Sequence, residues 1–288
     1  MQEITVQRAQ QGQPHAGKVF AAVHAHLSEV PYLAGGLCTK LMAEGYTGYL
    51  IRTTNDETHG GNSSAQNILS NETEHANMAK ALGFRDVFEL YYCSHRMNEA
   101  SPVELRGRLV LLFRLLKANT VLSFSPSAEV EPDSDRWITG RAVEEACFTA
   151  AGTNDFHEHF EAGIQPHEVR ERYYFHARRG QPFNQVVDIS PYVEKKIAAI
   201  VECRSQGSGN AGSLLRASLA KEGRRLPLLG DDDRAADRAY VRQFLLDDFR
   251  DYARGHDFEY AERFQYVGPA ADSRAKVEEY VARNAVRI

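Results

Sequence analysis

Short strand-like runs and longer helix-like runs alternate along most of the chain. Residues 18–24 form a β-prone run, and an apolar periodic segment over 31–44 ends at Gly45, a residue common at helix C-termini. The same pair of features recurs and predicts strands over 46–53, 87–92 and 119–124 and helices over 64–82, 105–117 and 137–150. Such alternation predicts an α/β fold of the Rossmann-like type, with an open, mainly parallel sheet and helices on both faces.

The second half of the chain continues this pattern less regularly. Strands are predicted over 172–176 and 185–188, and a helix follows Ser190-Pro191. Residues 205–288 are predicted to form a mostly helical C-terminal extension. Because no internal repeat or clear linker divides the sequence, we interpret residues 1–288 as a single domain.

Composition narrows the classes of partner. Of the 288 residues 43% are hydrophobic, enough for a packed core, and 34 basic against 39 acidic residues give a formal net charge of −5. This balance argues against a nucleic acid or an anionic membrane as the partner, and favours a small polar molecule. No apolar stretch reaches the roughly 18 residues of a membrane-spanning helix, and the N-terminus lacks the apolar run of a signal peptide, so a cytoplasmic protein is expected. The four cysteines are far apart in sequence and predict neither a thiolate zinc site nor a disulfide framework.

Two histidines and a glutamate form the first candidate site. His24 and His26 share one face of the first predicted strand, because strand side chains alternate with a period of two, and Glu29 follows at the start of the next element. Imidazole and carboxylate groups are ordinary zinc ligands, so the three side chains could hold a divalent metal. Alternatively, a histidine is buried as a packing residue while Glu29 stabilises a helix N-terminus.

Polar segments after two other strands are predicted to reach the same edge of the sheet. Arg52, Asn55 and Asp56 lie at the end of the second strand and are candidate substrate-binding residues, although ordinary turn chemistry explains them equally well. A later acidic loop contains Glu129, Glu131, Asp133 and Asp135 and ends at Arg136. Its carboxylates could act as bases or metal ligands, whereas a solvated run of charges is the simpler interpretation.

The order of these segments resembles the PIG-L/LmbE family of zinc-dependent de-N-acetylases over roughly residues 18–200. The similar stretches are Val19-Phe-Ala-Ala-Val-His-Ala-His26, Leu33-Ala-Gly-Gly36, Leu41-Met-Ala-Glu-Gly45, Arg52-Thr-Thr-Asn-Asp-Glu57 and Gly140-Arg-Ala-Val-Glu-Glu-Ala146. The resemblance implies a Rossmann-like fold, a zinc cofactor and a hydrolase that removes an N-acyl group from an amino-sugar-like substrate.

The resemblance also assigns roles to individual positions. In the family motif His-Pro-Asp-Asp-Glu, the His and the second Asp bind zinc and the first Asp is the general base. This sequence has His26 at the first ligand position, Ser28 at the base position and Glu29 at the second ligand position. The third ligand, a His of a later motif, corresponds to Arg136, whose guanidinium has no lone pair to donate to a metal.

Three interpretations follow from these departures. The first is a hydrolase with a rebuilt metal site, in which one loop carboxylate replaces the base. Such a site would draw on His24, His26, Glu29 and Asp133 or Asp135. The second is a metal-free pseudoenzyme that binds a polar or sugar-like ligand, or joins a paralogue or its own copies in an oligomer, with Arg136 paired to Glu29 in the vacated metal position. The third is a metal-independent enzyme that uses His24 or His26 as acid or base and Arg136 as an anion clamp.

Overall fold

Eight strands form one sheet in the computed structural model of the protein, which describes residues 4–127, 131–269 and 273–286. The strands are β1 (Thr5–Gln7), β2 (Val19–His24), β3 (Thr47–Thr54), β4 (Asp86–Tyr92), β5 (Thr120–Ser123), β6 (Glu171–Phe175), β7 (Gln185–Asp188) and β8 (Ala261–Val267). The helices are α1 (Glu29–Ala43), α2 (Ser64–Leu82), α3 (Pro102–Leu116), α4 (Ser134–Ala150), α5 (His157–Glu161), α6 (Val193–Ile200), α7 (Ala211–Lys221), α8 (Asp233–Tyr240), α9 (Asp247–Ala253) and α10 (Ser273–Asn284). Within these ranges no helix is both long enough and apolar enough to cross a lipid bilayer.

The strand order in the sheet is β1-β7-β8-β6-β5-β2-β3-β4. Every neighbouring pair is parallel except the two that β8 makes with β6 and β7, which are antiparallel. The predicted mainly parallel α/β fold is therefore confirmed. The region after residue 205 is mostly helical, as predicted, but it also contributes the strand β8, which lies between β6 and β7. Glu262 and Arg263 interrupt the apolar residues of this strand, so its sequence does not read as a buried strand.

Helices cover both faces of the sheet. In β2 the side chains of Phe20 and Ala22 belong to a core that also contains residues of α1, α2 and α6. The intervening Ala21 and Val23 belong to a second core, with residues of α3 and α4. Because both faces are covered, the strand reads as a continuous apolar run rather than as an alternation.

Helix α4 packs closely on the segment that follows β5. A Cβ atom at Gly140 would lie 2.6 Å from the carbonyl oxygen of Phe124 and 2.7 Å from that of Ser125, so the approach requires a glycine. Asp133 is the N-cap of the helix, and its Oδ1 accepts a hydrogen bond from the N–H of Asp135 at 3.0 Å. This packing fixes the start of α4, which carries the acidic loop residues.

A buried ion pair contacts the backbone in the middle of α1. Lys196 Nζ lies 2.7 Å from Glu262 Oε1, and both side chains are 0% exposed. The Glu262 carboxylate accepts hydrogen bonds from the N–H groups of Gly36 and Leu37 at 2.9 and 2.8 Å, while Lys196 donates to the carbonyl oxygen of Tyr32. The pair thus ties α6 and β8 to the helix that begins at the candidate site.

Candidate active site

The predicted site residues meet at the carboxyl edge of the sheet. Strand β2 ends at His24 and strand β3 at Thr54, while helix α1 begins at Glu29 and helix α4 at Ser134. Because β2, β3 and β5 are parallel neighbours, the loops after all three leave from the same edge. The first metal candidate, the polar segment after β3 and the acidic loop therefore lie together.

His26 is held from one side by Asp56. The His26 side chain is 2% exposed, and its Nδ1 lies 2.8 Å from Asp56 Oδ1. Asp56 Oδ2 accepts hydrogen bonds from the N–H of Leu27 at 2.9 Å and from Arg52 Nη1 at 2.8 Å. Burial raises the pKa of Asp56, but hydrogen bonds from His26 and His59 and the charges of His26 and Arg52 outweigh burial and hold it well below its ordinary value. Since an ionised carboxylate only accepts, His26 Nδ1 is the donor.

The other ring nitrogen of His26 faces two carboxylates. His26 Nε2 is buried and has no hydrogen-bond partner among the described residues. It lies 3.5 Å from Asp135 Oδ2 and 3.8 Å from Asp133 Oδ2. Burial lowers the pKa of His26, but the carboxylates of Glu29, Asp56 and Asp133 raise it to about 9. The surroundings of this nitrogen therefore favour positive charge, from a proton or from a bound cation.

Two groups of side chains have the donor types and the spacing of a metal site within the described ranges. One contains His26, Asp56 and His59, and the other contains His26, Asp133 and Asp135. In each group the ligand atoms lie within 4.8 Å of one another. The second group fits a metal ion better, because it uses the buried His26 Nε2 that has no other partner, whereas Nδ1 is already bonded to Asp56.

Asp135 is buried and is held in place by backbone hydrogen bonds, as a metal ligand requires. Its side chain is 0% exposed, and its Oδ2 and Oδ1 accept hydrogen bonds from the N–H groups of His95 and Met97 at 2.5 and 3.2 Å. Asp133 is 23% exposed, so the acidic pair has one buried and one more open carboxylate. The loop between β4 and α3 therefore helps to define the site.

Glu29 and Arg136, two positions that the sequence resemblance aligns with zinc ligands, form an ion pair. Arg136 Nε lies 2.6 Å from Glu29 Oε1, and Glu29 Oε2 accepts hydrogen bonds from the N–H groups of Ala25 and His26 at 2.9 and 2.8 Å. Arg136 Nε also lies 3.6 Å from Asp133 Oδ2. Burial raises the pKa of Glu29, against the opposing charges of His26 and Arg136. Glu29 belongs to neither of the two metal groups found among the described residues, so its role as a ligand stays a prediction.

His24 begins a chain of buried hydrogen bonds beneath the site. Its Nδ1 lies 2.7 Å from the carbonyl oxygen of His26, and its Nε2 lies 3.0 Å from His75 Nε2. His75 Nδ1 is 2.5 Å from Glu89 Oε1, and Arg52 Nε donates to Glu89 Oε2 at 2.8 Å. Burial and the neighbouring His75 lower the pKa of His24 well below its ordinary value. The ligand role of His24 stays a prediction, and in this structure both of its ring nitrogens have protein neighbours.

The remaining predicted residues lie around this centre. Ser28 lines a separate cavity of about 270 Å³, and its N–H donates to Gln206 Oε1 at 3.2 Å. Asn55 Oδ1 accepts a hydrogen bond from the N–H of Glu57 at 3.2 Å, which is turn chemistry. Arg52 is 0% exposed, so its contact with a substrate stays a prediction. Glu129 of the acidic loop lies outside the described residues.

His59, His75 and Gln206 also lie near the site and, like His95 and Met97, were not among the predicted site residues. The His59 ring centroid lies 5.0 Å from that of His26, and His59 Nδ1 lies 3.5 Å from Asp56 Oδ1. Gln206 Nε2 lies 3.4 Å from Asp56 Oδ1, and His75 is buried under His24. His59 follows Asp56 in a polar segment and could have been suspected, but α2 and the loop after α6 give no signal that His75 or Gln206 reaches the site.

The chain has solved structural neighbours despite low sequence identity. No protein-family model matches it, and no curated protein has a significant sequence match. The N,N'-diacetylchitobiose deacetylase of Pyrococcus horikoshii superposes with a TM-score of 0.69 at 19% identity, covering 90% of this chain and 86% of the other. Teicoplanin deacetylase Orf2, solved in a zinc-inhibited form, gives a TM-score of 0.54 at 11% identity, covering 89% of this chain and 100% of the other.

A third neighbour has a different activity. The 4-carboxy-2-hydroxymuconate hydratase GalB of Pseudomonas putida KT2440 superposes with a TM-score of 0.65 at 18% identity, covering 89% of this chain and 98% of the other. At these identities the similarity establishes the fold, while the chemistry has to be argued from the site. The sheet, the flanking helices and the deacetylase neighbours together show that the protein has the PIG-L/LmbE-like deacetylase fold.

Proposed function

We propose that the protein is a metal-dependent amide hydrolase that removes an acyl group from an amino-sugar-like substrate, with the metal bound by His26, Asp133 and Asp135. One observation carries this proposal. The buried His26 Nε2 has no partner in the described part of the chain, yet it faces carboxylate oxygens of Asp135 and Asp133 at 3.5 and 3.8 Å. One histidine and two carboxylates are a sufficient protein ligand set for a catalytic site with an open position for water.

The surrounding residues suit this role. Asp56 accepts from His26 Nδ1 and so leaves the Nε2 lone pair free for a metal, the arrangement that commonly orients a metal-binding histidine. Arg52 and the N–H of Leu27 in turn hold Asp56. A bound divalent ion would polarise the amide carbonyl and lower the pKa of a water molecule.

A proton acceptor is also needed for hydrolysis. The imidazole of His59 suits this role, because its ring centroid lies 5.0 Å from that of His26 and because His59 is not one of the three proposed ligands. Ser28, at the family's base position, has no carboxylate function of its own and is not assigned a role in this scheme.

A metal-free pocket for a polar ligand is the second candidate function, and the Arg136–Glu29 pair favours it. The guanidinium lies 2.6 Å from the carboxylate that occupies a family ligand position, and it also lies 3.6 Å from Asp133. In this version Arg136 supplies the positive charge of the pocket. His26, with its raised pKa, would carry a proton rather than bind a metal.

Zinc titration of the purified, chelator-treated protein separates the two candidates. The hydrolase proposal expects about one equivalent of zinc in the wild type, loss of binding in His26→Ala and Asp135→Asn, and unchanged binding in His157→Ala, a control at an exposed histidine on α5. Release of free amine from N-acetylglucosamine should follow the metal content. Absence of zinc binding in the folded wild type would contradict the proposal.

A triple variant tests the second candidate directly. If Arg136 and Glu29 replace a metal, Ser28→Asp, Glu29→Asp and Arg136→His together should create zinc binding that the wild type lacks. A triple variant that folds and still binds no zinc would refute the idea that this pair occupies a former metal position.

A further inference from the structure

An apolar cavity lies beside the candidate site. Its volume is about 310 Å³, and it opens between the N-terminal ends of α3 and α4. Its apolar lining includes Met97, Ala100, Pro102, Leu105, Trp137 and Ala142. Both helices follow strands whose carboxyl ends form the site edge, so the cavity and the candidate site open on the same side of the sheet.

Two elements connect the cavity to the reacting centre. Met97 lines the cavity, and its N–H donates to Asp135 Oδ1 at 3.2 Å. The other oxygen of Asp135 lies 3.5 Å from His26 Nε2. Helix α4 likewise begins with the acidic residues of the site and continues with Trp137 in the cavity wall. The cavity wall and the site are therefore built from the same two segments, the loop before α3 and the start of α4.

The lining selects an uncharged chain. Arg141 and Glu145, the charged residues of the lining, bind each other through Arg141 Nε and Glu145 Oε1 at 3.1 Å. At about 30 Å³ for a group the size of a water molecule or a methylene, the volume accommodates on the order of ten such groups. An acetyl group would leave most of this space unfilled.

We propose that the cavity binds the acyl chain of the substrate, and that the substrate is an amino-sugar-like amide with a medium-length chain of about eight carbons rather than an acetyl group. The identification of the ligand as an acyl amide rests on the proposed hydrolase function. The apolar site itself rests on the cavity and its lining.

Trp137 makes the test direct, because it is the single tryptophan of the chain. Its emission should shift to shorter wavelength when N-octanoylglucosamine is added. N-acetylglucosamine should need a concentration on the order of 1000-fold higher for any effect, since six additional methylenes are buried with the longer chain. Equal effective concentrations for the two compounds, or no shift with N-octanoylglucosamine, would overturn the proposal.

Filling the cavity provides the second arm. In Ala142→Leu the octanoyl compound should no longer act at a lower concentration than the acetyl compound. The control Ala217→Leu, at an exposed position on α7, should keep this difference in effective concentration. Ala100→Leu, at the cavity edge outside the helices, gives the same test if Ala142→Leu does not fold. Retention of the octanoyl advantage in a folded cavity-filling variant would overturn the proposal.

Binding and turnover can fail separately. His26→Ala should lose hydrolysis and keep the emission shift. An octanoyl-specific shift in a wild type that hydrolyses neither compound would sink the proposed hydrolase function and leave the apolar site intact. Hydrolysis of N-acetylglucosamine with no preference for the octanoyl compound would support the hydrolase function and overturn the proposed acyl-chain site.

Discussion

Replacing Lys196 with methionine should strongly destabilise the protein. The ammonium group is fully buried between Glu262 Oε1 at 2.7 Å, the carbonyl oxygen of Tyr32 and the ring of Phe249, whose centroid is 3.9 Å away. Lys196→Met leaves the Glu262 carboxylate buried with two backbone N–H donors and no cation. Removing one partner of a buried pair typically costs about 3–5 kcal/mol.

Glu262 balances the charge of Lys196 and also accepts hydrogen bonds from the backbone of α1. Both roles determine the stabilities expected of the single and double variants. Its two oxygens accept the N–H groups of Gly36 and Leu37, each of which would cost about 1–3 kcal/mol if left buried without an acceptor. Glu262→Gln retains one acceptor oxygen for these groups but leaves Lys196 charged. The double variant Lys196→Met/Glu262→Gln should therefore be more stable than the sum of the single effects implies, by at least 1 kcal/mol.

Urea unfolding of the four proteins provides the double-mutant cycle, and a thermal scan provides a check. A loss of about 3–5 kcal/mol corresponds to a decrease in Tm on the order of 10 °C for a chain of this size. Lys195→Met, at the exposed neighbouring position, should change the free energy of unfolding by less than about 0.5 kcal/mol. A Lys196→Met variant that loses less than about 1 kcal/mol would refute the reasoning.

Three further outcomes are expected. Asp56→Asn should weaken zinc binding by about 10- to 100-fold, measured by competition with a chromophoric chelator, because His26 loses the carboxylate that orients it; unchanged affinity would contradict that role. Gly140→Ala should destabilise the fold by about 1–3 kcal/mol in urea, since its Cβ would lie 2.6 Å from a backbone oxygen, whereas Gly61→Ala has open space and should not show this loss. The pKa of His26 is about 9 in the fold against 6.5 ordinarily, so its protonation should stabilise the metal-free protein fully below pH 6.5, and this stabilisation should disappear as the pH rises through 9. Urea midpoints measured over a pH series in the presence of chelator should show this loss of stability, and the His26→Gln variant should not show it.

The parallel part of the fold could be predicted from sequence because its signals are local. Strands buried on both faces give short apolar runs, and Gly45 and Gly83 mark helix ends; both have positive φ. β8 escaped prediction because its partners lie far away in sequence and because Glu262 is a charged residue whose buried partner, Lys196, comes from another helix. A charged residue in a strand normally indicates an exposed position. Glu262 can be buried only because Lys196, from a distant part of the sequence, neutralises its charge.

The candidate site could be predicted in part for similar reasons. His26 and the acidic loop are close to strand ends, where chemistry collects in α/β sheets, and the Arg136–Glu29 pairing follows from charge complementarity at two aligned positions. The burial of His75 under His24 and the approach of Gln206 to Asp56 depend on how α2 and the loop after α6 cross the sheet edge. No spacing in the sequence encodes these crossings.

The position of β8 also determines when the sheet can be completed during synthesis. In the described part of the chain β1 pairs with β7, and β7 joins the rest of the sheet through β8. Strand β1, which is made long before β8, therefore has no route into the finished sheet until residues 261–267 have been made. At about 5–20 residues per second, an incomplete sheet with an exposed β6 edge persists for many seconds, which is an interval in which chaperone binding or aggregation competes with folding.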